Sequence, residues 1–193
     1  MYIEEYEILD KMCILQELDI IFEKLTLINS CIVFYNQLID LRKTNYSKYA
    51  KVNNFFNSVT RGYDYSIACE LPKLFNEKEQ KGSIQSIAKL CKSEGLIRKK
   101  DFDVIVNRIK EKENSIIELR KYRDKVLAHS DKEYFVNNRI TVKTPFDLEK
   151  YNELNRLAID ILSDIRGKVE NCNFIFAPNM VFDFDLKNII ELL

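Results

Sequence analysis

An all-α fold, an antiparallel bundle of four to six helices, is what three features of this sequence predict. Apolar residues recur at three- and four-residue steps through most of the chain, the period of a helix with one buried face. Only four glycines and three prolines punctuate 193 residues, too few for short strands joined by tight turns. Hydrophobic residues make up 46% of the chain, enough to fill a core and too many for a disordered one. No repeat, low-complexity tract or linker divides it, so residues 1–193 are read as a single α-helical domain.

In chain order, residues 3–43 carry Ile8, Met12, Leu15, Leu18, Phe22, Leu25, Ile32, Tyr35, Leu38 and Leu41 at helical spacing. They form one very long helix, or two joined near Asn29-Ser30, and Thr44–Ser47 is the turn that follows. A second helix is expected over 47–76, with Phe55, Val59, Tyr63, Ile67, Leu71, Leu74 and Phe75 inward. Pro72 lacks an N–H and its ring crowds the carbonyl of Ala68, so a kink is expected there. Asn76–Gly82 is a polar loop, Ser83 caps a short helix to about Cys91, and Gly95 closes it. A helix over 101–130, capped by Asp101, places Phe102, Ile105, Ile109, Ile116, Leu119 and Val126 on one stripe. After an irregular stretch at 131–143, Thr144 as cap and Pro145 at the first helical position open a further helix. Its inward face is Leu148, Tyr151, Leu154, Ala158, Ile161, Ile165 and Val169. A loop rich in Phe (171–182) and a short helix (183–193) complete the chain.

Composition narrows the function classes. The formal net charge is zero, so no global basic field advertises nucleic acid, and any RNA contact must be local. Five cysteines, odd in number and without close pairs, read as reduced core thiols of a cytoplasmic protein. With one histidine and no Cys-x-x-Cys, neither a metal site nor a cofactor is expected. Glu4, Glu5, Glu7 and Asp10 make the N-terminus the opposite of a signal peptide, and no apolar run is long enough to cross a bilayer. A cytoplasmic protein with no membrane partner follows as the expectation.

The functional lead lies in the 101–130 helix. His129 is the only histidine in the chain, and Arg123 precedes it by six positions. At about 100° per residue, Arg123 and His129 fall roughly 60° to either side of Val126, at the edge of the apolar stripe. An arginine there must find a partner, because an unpaired buried charge costs several kcal/mol.

This arginine, five intervening residues and histidine resemble the signature of the HEPN superfamily (higher eukaryotes and prokaryotes nucleotide-binding domains), in which a polar residue commonly follows the arginine, as Asp124 does here. The wider string Arg123-Asp124-Lys125-Val126-Leu127-Ala128-His129-Ser130-Asp131-Lys132 is more specific, and is similar to the branch of U-type abortive-infection (AbiU-like) proteins of bacteria. Upstream, Ile67-Ala68-Cys69-Glu70-Leu71-Pro72-Lys73-Leu74-Phe75 is similar to that branch's second-helix segment, and the likeness spans roughly residues 45–170.

The resemblance implies a HEPN-like homodimer whose composite site joins Arg and His from both chains, and metal-independent RNA cleavage through a 2′,3′-cyclic phosphate, used in defence against phage. By that analogy Arg123, His129 and Asp124 are catalytic: His129 as general base or acid, Arg123 on the phosphate, and Asp124 orienting a motif residue or the substrate. Lys125, which shares a face with His129, and Arg120 are the candidate RNA- or phosphate-binding residues. Some antitoxin-paired relatives carry a tyrosine two residues after the histidine. That position is Asp131 here, which leaves the existence of an antitoxin or other defence partner open.

Two further readings stand beside this one. A non-catalytic HEPN module would bind nucleotide, RNA or a protein partner. A structural helical protein would bury Arg123 and His129 in an internal polar cluster, with Arg123 paired to a carboxylate.

Overall fold

The longest run of helical spacing becomes one helix, α1, Tyr2–Thr44. The computed structural model describes residues 2–76, 82–132 and 146–176, with side chains throughout except at 2–10, 49 and 125–132. Asn29-Ser30 is not a joint. Ser30 Oγ donates back to the Thr26 carbonyl at 2.9 Å, and Asn29 Oδ1 accepts from Asn155 Nδ2 across the bundle at 2.8 Å. The buried seam runs Ile14, Leu18, Ile21, Leu25, Ile28, Ile32, Tyr35, alternating steps of four and three that keep one face inward. Met12, expected inward, is 56% exposed. It stands two residues from Ile14, about 200° round the helix, so the seam excludes it.

The expected 47–76 helix is interrupted. α2 (Tyr46–Lys51) and α3 (Asn53–Leu74) are separated by Val52, whose φ of −123° and ψ of 27° are not helical. The restart sets the face of α3 from Phe56, which packs on Leu38 and Leu41, and leaves Phe55 65% exposed instead of buried. Pro72 falls in the last turn of α3, so its missing N–H comes where little helix remains to bend. α4 (Ile84–Ser93) opens as expected. Ser83 Oγ accepts from the Ser86 N–H at 3.2 Å and Ser86 Oγ accepts from the Ser83 N–H at 3.3 Å, a reciprocal capping box. Gly95 closes the turn at a φ of +70°.

The 101–130 helix is two helices, α5 (Lys99–Glu111) and α6 (Glu113–Lys132). Its cap is Arg98, and Asp101 sits in the first turn. There Arg98 Nε at 3.0 Å and Lys168 Nζ at 3.1 Å donate to the Asp101 carboxylate, and these hydrogen bonds draw its pKa down to about 2. The break comes at Lys112, whose N–H reaches the Ile109 carbonyl three residues back while its Nζ holds Glu153 at 2.9 Å. Two shorter helices can each turn an apolar pair inward, Ile105 and Ile109 on α5, Ile116 and Leu119 on α6.

α7 (Leu148–Glu170) is capped by Asp147, whose Oδ1 accepts from the Glu149 N–H at 2.9 Å. The expected starters Thr144 and Pro145 lie outside the described residues, as do 133–143 and 177–193. Its inward face is as expected apart from half-buried Leu148, with Asn155 and Leu162 added. The helix ends on Asn171 in the left-handed region, φ 57°, and the Cys172 N–H returns to the Gly167 carbonyl at 2.9 Å. A Cβ at position 167 would stand 2.8 Å from the Cys172 carbonyl oxygen. Gly167→Ala is therefore expected to lower stability by about 1–2 kcal/mol in a thermal melt, despite the better helix propensity of alanine.

Cross-helix pairs give the directions. On α1 and α3, Phe34 stacks on Tyr63 while Leu38 and Leu41 meet Phe56, so the two helices are antiparallel. Asp19–Arg166, Asn29–Asn155 and Asn36–Asn152 set α7 antiparallel to α1 on its other side. Asp101–Lys168, Arg108–Asp164 and Lys112–Glu153 do the same for α5 and α7. The result is an all-α antiparallel bundle, seven helices among the described residues. All five cysteines are free, and only Cys91 is buried; Cys13 and Cys172, expected in the core, are exposed. Among the described residues no helix is long and apolar enough to cross a membrane.

Candidate functional site

Arg123, Asp124 and Arg120 are described in full on α6. Lys125 and His129 are placed along the backbone of the same helix, and their side chains lie outside those described. The Arg123 side chain is 31% exposed. Its Nε at 2.9 Å and Nη2 at 2.7 Å both donate to Asp124 Oδ1, and Asp124 is itself 65% exposed. An ion pair so open to water contributes little to stability. Its consequence is orientational: one edge of the planar fork is held, and the other donors meet no partner among the described residues. The Arg123 charge also reaches Cys69 on α3, where burial still pushes the thiol up against the pull of Arg123 and Lys73.

Arg120 has a partner in the bundle. Its Nη2 donates to the Phe75 carbonyl at 2.6 Å, at the residue that ends α3. A cation at the carbonyl end of a helix meets both an orphan acceptor and the favourable end of the helix dipole.

An internal polar cluster does exist, and Arg123 is not in it. Asp64 of α3 sits half-buried between two tyrosine hydroxyls. Tyr122 of α6 donates to its Oδ2 in a short contact, and Tyr151 of α7 donates to its Oδ1 at 2.9 Å. Burial raises the Asp64 carboxyl above its usual range, and the two hydrogen bonds offset part of that rise. Tyr151 and Tyr122 are both pushed far up, by burial first and by the Asp64 charge and hydrogen bond after it. Tyr35 of α1, edge-on to Tyr151 at 6.5 Å, is raised to about 12 by burial and then by the Asp64 charge alone. Phe146 closes the other side, 5.6 Å from the Tyr122 ring and 4.7 Å from that of Tyr151. One carboxylate thus joins α3, α6 and α7.

Sequence reasoning missed Asp64 and Tyr122 and took Tyr151 for plain core. A signal was there. Asp64, Ile67, Ala68, Leu71 and Phe75 share one helical face, so Asp64 is a carboxylate standing in an apolar stripe.

A helical bundle with an arginine–histidine motif on one helix is the arrangement of a HEPN domain. The AbiU2 family of HEPN domains matches residues 16–186, nearly the whole chain and all of α6. The chain belongs to this family and is an abortive-infection-related HEPN domain. No curated protein and no solved structure matches it.

Proposed function

We propose that the chain is a metal-independent endoribonuclease of the abortive-infection type, acting as a homodimer in which Arg123 and His129 of both copies meet near the two-fold axis. The observation that carries this reading is the partly exposed Arg123 side chain, its guanidinium held on one edge by Asp124 in a chain of a HEPN family. Six residues of α6 rise about 9 Å, so one copy's pair is spread out, and a second α6 facing it brings the groups together. His129 of one copy takes the proton of a ribose 2′-hydroxyl as that oxygen attacks the adjacent phosphorus. The bond from phosphorus to the 5′ oxygen breaks, and the other imidazolium protonates the departing oxygen. The products are a 2′,3′-cyclic phosphate and a 5′-hydroxyl. Arg123 holds the phosphate oxygens as their charge grows, Asp124 keeps Arg123 aimed, and Lys125 adds phosphate affinity. Arg120, one donor of which is on the Phe75 carbonyl, has only the rest of its fork to offer.

The test is cleavage of a defined RNA with and without EDTA, together with light scattering at micromolar concentration. A dimer whose cleavage survives chelation and leaves a cyclic phosphate is the expected result. Activity abolished by EDTA and restored by a divalent ion would overturn the mechanism. A monomer at that concentration would overturn the composite site.

A further inference from the structure

We propose that Asp64 and Tyr122 are positioning residues: their hydrogen bond fixes the roll of α6 about its own axis and thereby the direction in which Arg123 leaves the bundle. This rests on reading Arg123 as the phosphate-holding group. Leu119, fully buried, is the middle of the α6 face toward the core. Round the helix from it, Arg120 stands about 100° to one side and Tyr122 about 60° to the other. Both are tied to α3, Arg120 at the Phe75 carbonyl and Tyr122 at Asp64. Those anchor points are eleven residues apart, about 16 Å along α3. A helix tied on both sides of its buried face cannot roll either way without breaking one tie. Arg123 follows Tyr122 directly, so the tie at Asp64 is the one nearest the motif. Asp124 fixes the fork of Arg123 relative to α6; Asp64 fixes α6 relative to the bundle. Aim needs both, since a misplacement of about 1 Å at a reacting centre costs on the order of a hundredfold in rate.

Tyr151 supplies the control. Tyr122→Phe and Tyr151→Phe each remove one hydroxyl from the same carboxylate and leave the ring in place, but only Tyr122 is on the motif helix. In the whole 193-residue chain, Tyr122→Phe is expected to lower kcat by about tenfold or more with KM nearly unchanged, and Tyr151→Phe to lower it by no more than about twofold. The Nε–Hε resonance of Arg123, assigned with Arg123→Lys, should move in Tyr122→Phe and stay in Tyr151→Phe. A wild-type chain that cleaves no RNA would end the ribonuclease reading, while the split in the Arg123 resonance would still support the positioning role. Equal effects of the two variants on kcat and on that resonance, or no effect of either, would overturn it, because Asp64 would then be a stability element alone.

Discussion

Arg123→Ala and His129→Ala are each expected to lower RNA cleavage by at least about a hundredfold, the lower end for a general acid–base group, with helicity and dimer intact. For Arg123 the stability half of this expectation follows from its surroundings. Its partner Asp124 is largely exposed, and an exposed ion pair is worth about 0–1 kcal/mol, so truncation should barely move the melting temperature. Had Arg123 been the buried, carboxylate-paired residue of a structural cluster, removing it would have cost about 3–5 kcal/mol. Lys125→Ala should act differently, weakening RNA binding and lowering its salt slope by about one unit, as the loss of one phosphate contact does. Melting, dimerisation and cleavage measured on the same three variants separate these roles. Variants that melt early yet cleave normally when folded would remove Arg123 and His129 from the catalytic list.

How much of this could be read from the sequence depended on how far each feature is local. The face of α7 is nearly complete in the apolar spacing, because a helix packed along its length repeats one rule at every turn. On α1 the same spacing found Leu18, Phe22, Leu25, Ile32, Tyr35, Leu38 and Leu41 but not Ile14, Ile21 and Ile28, which complete the seam. Registers failed where a break intervened. Val52 reset α3, so Phe56 took the inward place given to Phe55, and Lys112 split the motif helix in two. Neither carries a glycine or proline. Lys112 turns the chain while its ammonium holds Glu153, a partner 41 residues away. At Asn29-Ser30 the spacing left one helix or two open, and the structure takes the single helix, with Asn155 across the bundle as the partner of Asn29. The site divides in the same way. The arginine and histidine are legible as a spacing on one helix, and Asp124 as a neighbour. Asp64 and Tyr122, 58 residues apart, meet only when α6 crosses α3.

The largest loss of stability near the site is expected from Tyr151→Ala. Tyr151 is fully buried, packs on Phe146 and Tyr35, and spends its hydroxyl on Asp64. Emptying such a site costs about 3–5 kcal/mol, as aromatic-to-alanine changes in cores do. In a chain of this size that corresponds to roughly 6–20 °C in Tm. Tyr151→Phe keeps the ring and removes only the donor, leaving one carboxylate oxygen short of a partner at a cost of about 1–3 kcal/mol. The second deficit should depend on pH, and its sign is fixed by Asp64. Burial holds that carboxyl above its unfolded value, so ionised Asp64 weighs against the folded state, and stability from this group falls as pH rises through its folded pKa. Losing a hydroxyl that stabilised the ion raises the folded pKa further. The deficit of Tyr151→Phe should therefore be full at neutral pH and shrink as pH is lowered towards the carboxylate range, whereas most of the Tyr151→Ala deficit is packing and should persist. Melting curves of both variants and the wild type from pH 7 down into the ordinary carboxylate range, about pH 4, provide the measurement, each deficit being taken against the wild type at the same pH so that the titration of other carboxylates cancels. A Tyr151→Phe deficit that stays constant or grows as the pH falls would mean that Asp64 is not the ionised centre on which the three helices meet.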